Sequence, residues 1–342
     1  MLKTSEWVSL GHPDKVADYI SCRLLDRYLA GDPAARFAVE VQIKEHYVTL
    51  GGEVTSSVAL SDDEIADTVR KAVCEIGYTR DYRDVWGATN TIAGEELCVT
   101  THIGRQSGDI ALGVDRSGWG DQGIFWGMAV DSAETDYMPR DYYLAAKIGR
   151  RLYESRYAGL DIKTQVTMTS DRIREIVVAI PMTERHDEAT VVAMIDECCD
   201  LEHAGCDLVI NGTGRYVTHG PVGDCGTTGR KLAADFYGGN CRLGGGSPWT
   251  KDGTKADLSL NLLARAYALA FLRKHPAYGE IHCAISCHIG SPDILVTFFD
   301  GNMHQLRHRR ETVTPCEVIS HFRLRSPRFG QMCRDGLLHG VC

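Results

Sequence analysis

No stretch of these 342 residues is apolar for long enough to span a bilayer, and the opening MLKTSEW lacks the pattern of a secretory signal. A cytoplasmic location, with no membrane partner, is therefore the expectation. The thirteen cysteines are an odd number and scattered, with one adjacent pair (Cys198, Cys199) and no CxxC, which removes zinc-ribbon and thioredoxin-like chemistry. Most of them are expected to be small buried hydrophobes. Excess positive charge is missing too: a net charge of −9 argues against generic nucleic-acid binding. The one dense basic run, HQLRHRR at 304–310, reads as solvated surface, with a nucleotide or partner contact as the alternative. Two familiar nucleotide signatures are absent as well. Gly223 and Gly229 stand one residue too far apart for GxxxxGK[ST], and Arg230 follows; no GxGxxG opens a βαβ unit.

What is present concentrates in residues 220–257, where clustered glycines are interleaved with Arg230, Lys231, Lys251 and Lys255 and with Asp224, Asp252 and Asp257. Glycines let backbone N–H groups approach a ligand, the cations match a polyphosphate, and carboxylates among them suit a shared magnesium ion. By itself such a stretch could equally be a flexible, solvated loop. A second cluster, Gly11-His12-Pro13-Asp14-Lys15, precedes an amphipathic helix; Pro13 suits the first helical position, which puts His12 and Asp14 at a helix N-terminus that favours anions.

Around these clusters the chain repeats an order of elements. A helix over 14–30 is followed by strands at 37–43 and 47–54, then by a helix opened by the capping box Ser61-Asp62-Asp63-Glu64. The order returns as helix 139–157, strands 163–169 and 175–180, helix 187–204 and strand 207–211. It returns again as helix 257–274, strands 280–289 and 293–299, and a helix near 313–322. Three helix–hairpin–helix units predict an α+β fold of three similar subdomains, here 1–105, 124–219 and 220–342. Between the first two lies a glycine-rich segment, 106–123, of the length expected of a binding loop rather than a plain connector.

The blocks GHPDK (11–15), GGE (51–53), GDQG (120–123), TGR (213–215), GDCGTTGRK (223–231) and GGG…KDGTKAD (244–257) occur in the order and at the spacing of the S-adenosylmethionine synthetase (methionine adenosyltransferase) family, which the chain resembles from about residue 4 to about residue 300. The resemblance implies a pseudo-threefold fold with sheets packed inward and at a dimer interface. It also implies a mobile loop at 106–123 and active sites shared between the subunits of a homodimer or dimer of dimers. The implied reaction is attack of the sulfur of L-methionine on C5′ of ATP, followed by hydrolysis of the released triphosphate. A thioether needs no base, so the leaving group is the catalytic problem, and preorganised donors must meet its charge.

Carried over by resemblance, His12, Lys163, Arg230, Lys231 and Lys251 serve the leaving group, and Asp161, Arg215, Tyr216, Asp224 and Ser247 complete the ATP contacts. Methionine is expected near Glu53, Gln106, Ile110, Asp224, Lys255 and Ile289. Two magnesium ions per site are expected at Asp14 and Asp257, and a potassium ion at Glu40. Read without the resemblance, those three carboxylates are two helix caps and an exposed strand residue, and Ile110 and Ile289 fit a core as well as a pocket. The chain also departs from the family. It has GGGSPWTKD where members read GGGAFSGKD, tyrosine at 216 for phenylalanine, Leu10 and Leu258 for charged residues, and a short, poorly matched end. An adenosyltransferase acting on a methionine analogue and a non-catalytic nucleotide-binding regulator therefore stand as alternatives.

Overall fold

The computed structural model describes residues 2–104, 118–170, 172–199 and 205–340. In chain order the strands are β1 (Lys3–Val8), β2 (Arg36–Lys44), β3 (Tyr47–Thr55), β4 (Cys98–Gly104), β5 (Gly123–Val130), β6 (Lys163–Met168), β7 (Ile173–Ala179), β8 (Asp207–Ile210), β9 (Gly226–Thr227), β10 (Glu280–Cys287), β11 (Asp293–Asp300) and β12 (Gln305–Thr312). The helices are α1 (Pro13–Gly31), α2 (Asp62–Ile76), α3 (Arg80–Trp86), α4 (Arg140–Ser155), α5 (Glu188–Cys199), α6 (Leu232–Asp235), α7 (Ala256–Lys274), α8 (Pro315–Phe322) and α9 (Phe329–Asp335). The strands form three four-stranded sheets, ordered β4-β3-β2-β9, β1-β6-β7-β8 and β12-β11-β10-β5.

The expected repeat is visible, with an addition and an exception. In the first two units a helix, an antiparallel hairpin and a second helix lead to a strand parallel to the hairpin, β4 beside β3 and β8 beside β7. In the third, β12 follows β11 directly and pairs with it antiparallel, and the helix comes afterwards. The HQLRHRR run falls largely on the edge strand β12, exposed or half-buried along its length as a solvated surface should be, and its charges protect the edge from further pairing. The remaining edge of each sheet is taken by a strand from elsewhere in the chain: β9 on β2, β1 on β6 and β5 on β10.

Local sequence explains most of these elements. In β2, Phe37, Val39, Val41 and Ile43 are buried while Glu40, Gln42 and Lys44 face out, the period-two pattern of a half-buried strand. In α2 the Ser61–Glu64 capping box closes in both directions, and Ile65, Val69, Val73 and Ile76 form its buried stripe. One buried cluster joins the first two units to the glycine-rich stretch and includes Leu10, Trp249 and Leu258; a second lies between the third sheet and α7. Trp119, just past the undescribed 105–117, is fully buried and exchanges backbone hydrogen bonds with the Gly290–Ser291 turn. The described cysteines are all free, and Cys22, Cys198, Cys199, Cys241, Cys283 and Cys333 are buried, whereas Cys98 and Cys316 are exposed. Among the described residues no helix is long and apolar enough to cross a membrane.

Candidate active site

The open edge of β2 organises the site. Gly226 and Thr227 pair with Ile43 and Gln42, and Thr228 N–H continues by donating to Val41 O at 3.0 Å. Further along the same edge, Val39 N–H donates to Thr250 O and Asp252 N–H to Phe37 O, while Lys251 bridges Ala38. Both halves of the glycine-rich stretch are therefore laid against one strand. Glu40 sits between them, its carboxylate accepting from the hydroxyls of Thr228 and, at 3.1 Å, Thr250. The halves also touch each other: Gly229 has φ +73°, and a Cβ there would lie 2.7 Å from that of Ser247. Only glycine satisfies both the left-handed backbone and that approach.

The N-terminus of α1 meets this edge. His12 caps the helix, Nδ1 accepting from Asp14 N–H at 3.2 Å. Asp14 is almost wholly buried; it accepts from Thr227 N–H at 2.8 Å and from Lys231 Nζ at 2.6 Å, with Arg230 Nε 3.8 Å away. Deeper, Lys15 lies between Asp235 (2.6 Å) and Asp18 (3.1 Å), and Asp18 accepts from Gly229 N–H at 2.9 Å. Across the cleft Lys251 pairs with Asp257, which also accepts from Gly246 N–H at 2.7 Å.

Charge at the site follows from this crowding. Burial, reinforced by Lys231, Lys163, Lys15 and Arg230, pushes the His12 imidazole down to about 2, so it is neutral at physiological pH. Because Nδ1 is an acceptor, the proton resides on Nε2, and His12 is a hydrogen-bond donor held beside four cations. Burial raises Asp161 to about 6; its Oδ2 accepts from Gly220 N–H at 2.9 Å, while Oδ1 is buried and meets no partner at hydrogen-bond geometry. The Tyr216 hydroxyl acts on that carboxyl to lower its pKa without forming a well-shaped bond.

Most of the residues expected at a site do converge here. His12, Asp14, Lys163, Arg230 and Lys231 form one group, and Ser247, Lys251 and Asp257 form a second that touches it at Gly229. Asp161, Tyr216 and Asp224 share an electrostatic neighbourhood beside Lys163 at the start of β6. Glu53 stands opposite Ala38 in β2, in line with Lys251. Lys255 caps α7 two residues before Asp257. Ile289 does not join them: it is 55% exposed at the tip of the third sheet, beside Trp119. Gln106 and Ile110 lie outside the described residues. A cavity of about 720 Å³, lined by Trp86, Arg185, His186 and Asn211 among others, meets the expected residues only at Arg215 and Tyr216.

Sequence reasoning overlooked the supports: Lys15, Asp18, Asp235 and Trp249 below, and on the Tyr216 side His219, which bonds Tyr82 at 2.6 Å next to Gly220. Burial lowers His219 to about 4, so it too is neutral.

Among the described residues no group of three or more His, Cys, Asp or Glu side chains is arranged to hold a metal. A magnesium ion bound by a single carboxylate together with substrate phosphates suits both Asp14 and Asp257, because each already faces an ammonium that a phosphate would engage instead. Glu40 with the Thr228 and Thr250 hydroxyls offers the all-oxygen donor set that an alkali cation accepts.

Three family models cover nearly the whole chain: the N-terminal domain of S-adenosylmethionine synthetase matches residues 1–108, its central domain 116–216 and its C-terminal domain 218–340. The chain belongs to the S-adenosylmethionine synthetase family. A curated S-adenosylmethionine synthase of Desulforudis audaxviator is 35% identical over 98% of this chain and 92% of its own. That of Acholeplasma laidlawii is 34% identical over 97% and 92%. The fold matches a solved structure described as an unusual S-adenosylmethionine synthetase from Campylobacter jejuni, with a TM-score of 0.86, 29% identity and coverage of 98% of this chain and 94% of that one. Family membership accounts for the three-unit α+β architecture; in the structure the departures Trp249, Leu10 and Leu258 are buried in one apolar cluster.

Proposed function

We propose that the chain is a methionine adenosyltransferase: it transfers the adenosyl group of ATP to the sulfur of L-methionine and hydrolyses the released triphosphate to pyrophosphate and phosphate. The observation that carries this reading is a neutral histidine donor set among cations on two glycine-rich segments that share one strand edge. In that role His12 Nε2–H is the donor that faces the departing O5′, by hydrogen bonding or by proton transfer. Lys163, Arg230, Lys231 and Lys251 hold the phosphates, and Asp14 and Asp257 would hold magnesium, which would supply further charge neutralisation there. Potassium at Glu40 would stiffen the clip between Thr228 and Thr250. At the nucleoside end, Asp161, Arg215, Tyr216 and Ser247 contact adenosine, with the unpartnered Asp161 Oδ1 as an acceptor for a sugar hydroxyl.

Methionine lies on the Glu53, Asp224 and Lys255 side, Lys255 pairing with its carboxylate and a carboxylate with its ammonium. The exposed Ile289, set apart from those residues, supports a homodimer in which one subunit's third sheet closes its partner's methionine pocket. The test is direct. Purified protein incubated with ATP, L-methionine, magnesium and potassium should yield S-adenosylmethionine, pyrophosphate and phosphate; ADP or AMP as the main nucleotide product, without a sulfonium compound, would sink the proposal.

A further inference from the structure

Below the phosphate-binding cations lies a second, buried set of charges that the proposed chemistry does not use. Lys15 is 4% exposed, Asp18 0%, Asp235 8% and Trp249 0%. The Lys15 ammonium bonds Asp235 Oδ1 at 2.6 Å and Asp18 Oδ2 at 3.1 Å and stands 4.4 Å from the centre of the Trp249 ring. The other oxygen of each carboxylate is also engaged. Asp18 Oδ1 accepts from Gly229 N–H at 2.9 Å, and Asp235 Oδ2 accepts from the Trp249 indole N–H at 2.8 Å. Gly229 immediately precedes Arg230 and Lys231. Trp249 lies between Ser247 and Lys251, and its own N–H reaches Ser247 Oγ at 3.3 Å.

We infer that Lys15 is a positioning residue for both phosphate-binding segments, acting through Asp18 on Gly229 and through Asp235 on Trp249. The inference rests on reading those segments as the polyphosphate cradle, and adds to it the group that fixes their mutual spacing. One ammonium between two carboxylates ties each to it, and each carboxylate spends its second oxygen on a different segment. Neither segment can then shift relative to α1 without breaking a buried, charge-assisted hydrogen bond. Burial opposes the charge on Lys15, but Asp235 above all outweighs it and holds the ammonium above the usual lysine range. At Trp249 the chain departs from the usual family pattern, with GGGSPWTKD where members read GGGAFSGKD. Its indole supplies both a donor to Asp235 and an aromatic face for the ammonium, two contacts that a small residue at this position cannot make.

The test uses the full chain and two probes, inorganic tripolyphosphate with magnesium and adenosine, titrated separately by calorimetry. Trp249→Phe keeps an aromatic ring beneath Lys15 and deletes the indole N–H together with part of the ring volume. It should weaken tripolyphosphate binding about tenfold, as loss of one hydrogen bond to a charged group does, and leave adenosine binding within about twofold of wild type. Turnover should fall with methionine KM unchanged. Lys15→Met risks misfolding because it strands two carboxylates, so Asp235→Asn is the companion. It has one acceptor oxygen where the carboxylate has two and no charge to hold Lys15, so it too should weaken tripolyphosphate binding while leaving adenosine binding within about twofold of wild type. Wild-type tripolyphosphate affinity in Trp249→Phe, or equal loss for both probes, overturns the positioning role. A wild-type protein that ignores tripolyphosphate overturns the phosphate reading itself, and the inference with it.

Discussion

Asp161→Asn should make the protein more stable at alkaline pH while weakening its use of ATP. The Asp161 carboxyl is buried and held at about 6 against an ordinary value of 3.8. Below 3.8 it is protonated both folded and unfolded and contributes no difference. Between 3.8 and about 6 the folded protein keeps a proton that the unfolded chain releases, so stability falls as pH rises through that window; above about 6 the full cost remains. A shift from 3.8 to about 6 corresponds to about 3 kcal/mol. Asparagine has no charge to bury, and its amide oxygen can still accept from Gly220 N–H, so the substitution removes the cost without removing that bond. Urea denaturation of wild type and variant at pH 4 and pH 8, at one fixed protein concentration, should therefore give a stability difference that moves in the variant's favour by about 2.5 kcal/mol between the two pH values, part of the cost being already present at pH 4. The same variant should bind ATP more weakly, because the amide presents one oxygen where the carboxylate presents two. Parallel denaturation curves at both pH values would refute the reasoning, since they would mean that Asp161 is either solvated or already paired.

His12→Asn should lower turnover roughly a hundredfold without changing tripolyphosphate affinity, as read by steady-state kinetics beside calorimetry. Because His12 is held at about 2 when folded against 6.5 unfolded, it costs stability as pH falls below 6.5; the variant's melting temperature should therefore overtake wild type only on the acid side. Asp14→Asn and Asp257→Asn should each require higher magnesium for activity, but in thermal melts Asp14→Asn should be the less stable, by about 1–3 kcal/mol, because its carboxylate is buried against Lys231 and Thr227. Glu40→Gln should reduce potassium stimulation and loosen the clip between Thr228 and Thr250, seen as faster amide exchange at Val39 and Val41; unchanged exchange would remove the clip.

Elements whose stabilisation is local were readable from the chain itself. The alternation of β2, the capping box of α2 and the long stripes of α1 and α7 place those elements within a residue or two. Strands that depend on distant partners were not readable: β1 is six residues whose partner lies at 163–168, and the apolar run GIFWGMAV of β5 has no period to separate strand from helix. At the site, cations among glycines announced themselves by composition. Lys15 and Asp18 carried only the faint signal of opposite charges three apart on a helix, and Asp235 and Trp249 carried none, because their pairing exists only once α1, α6 and the 247–251 segment are packed. Residues 106–117 of the expected mobile loop are outside the described residues, and its role rests on the resemblance alone.

The borrowed edge strands also bear on synthesis. β1 leaves the ribosome first, yet its partner β6 begins at Lys163, and β2 acquires β9 only when Gly226 has emerged. At about 5–20 residues per second, the nascent chain carries open sheet edges for on the order of ten seconds or more. Lys3 and Glu6 on β1, and Glu40, Gln42 and Lys44 on β2, put charged and polar side chains on those edges while they wait, the kind of residue that discourages pairing with another chain. A ribosome stalled anywhere before residue 226 would hold a first sheet with one edge still unpaired, a target for chaperones rather than a folded domain.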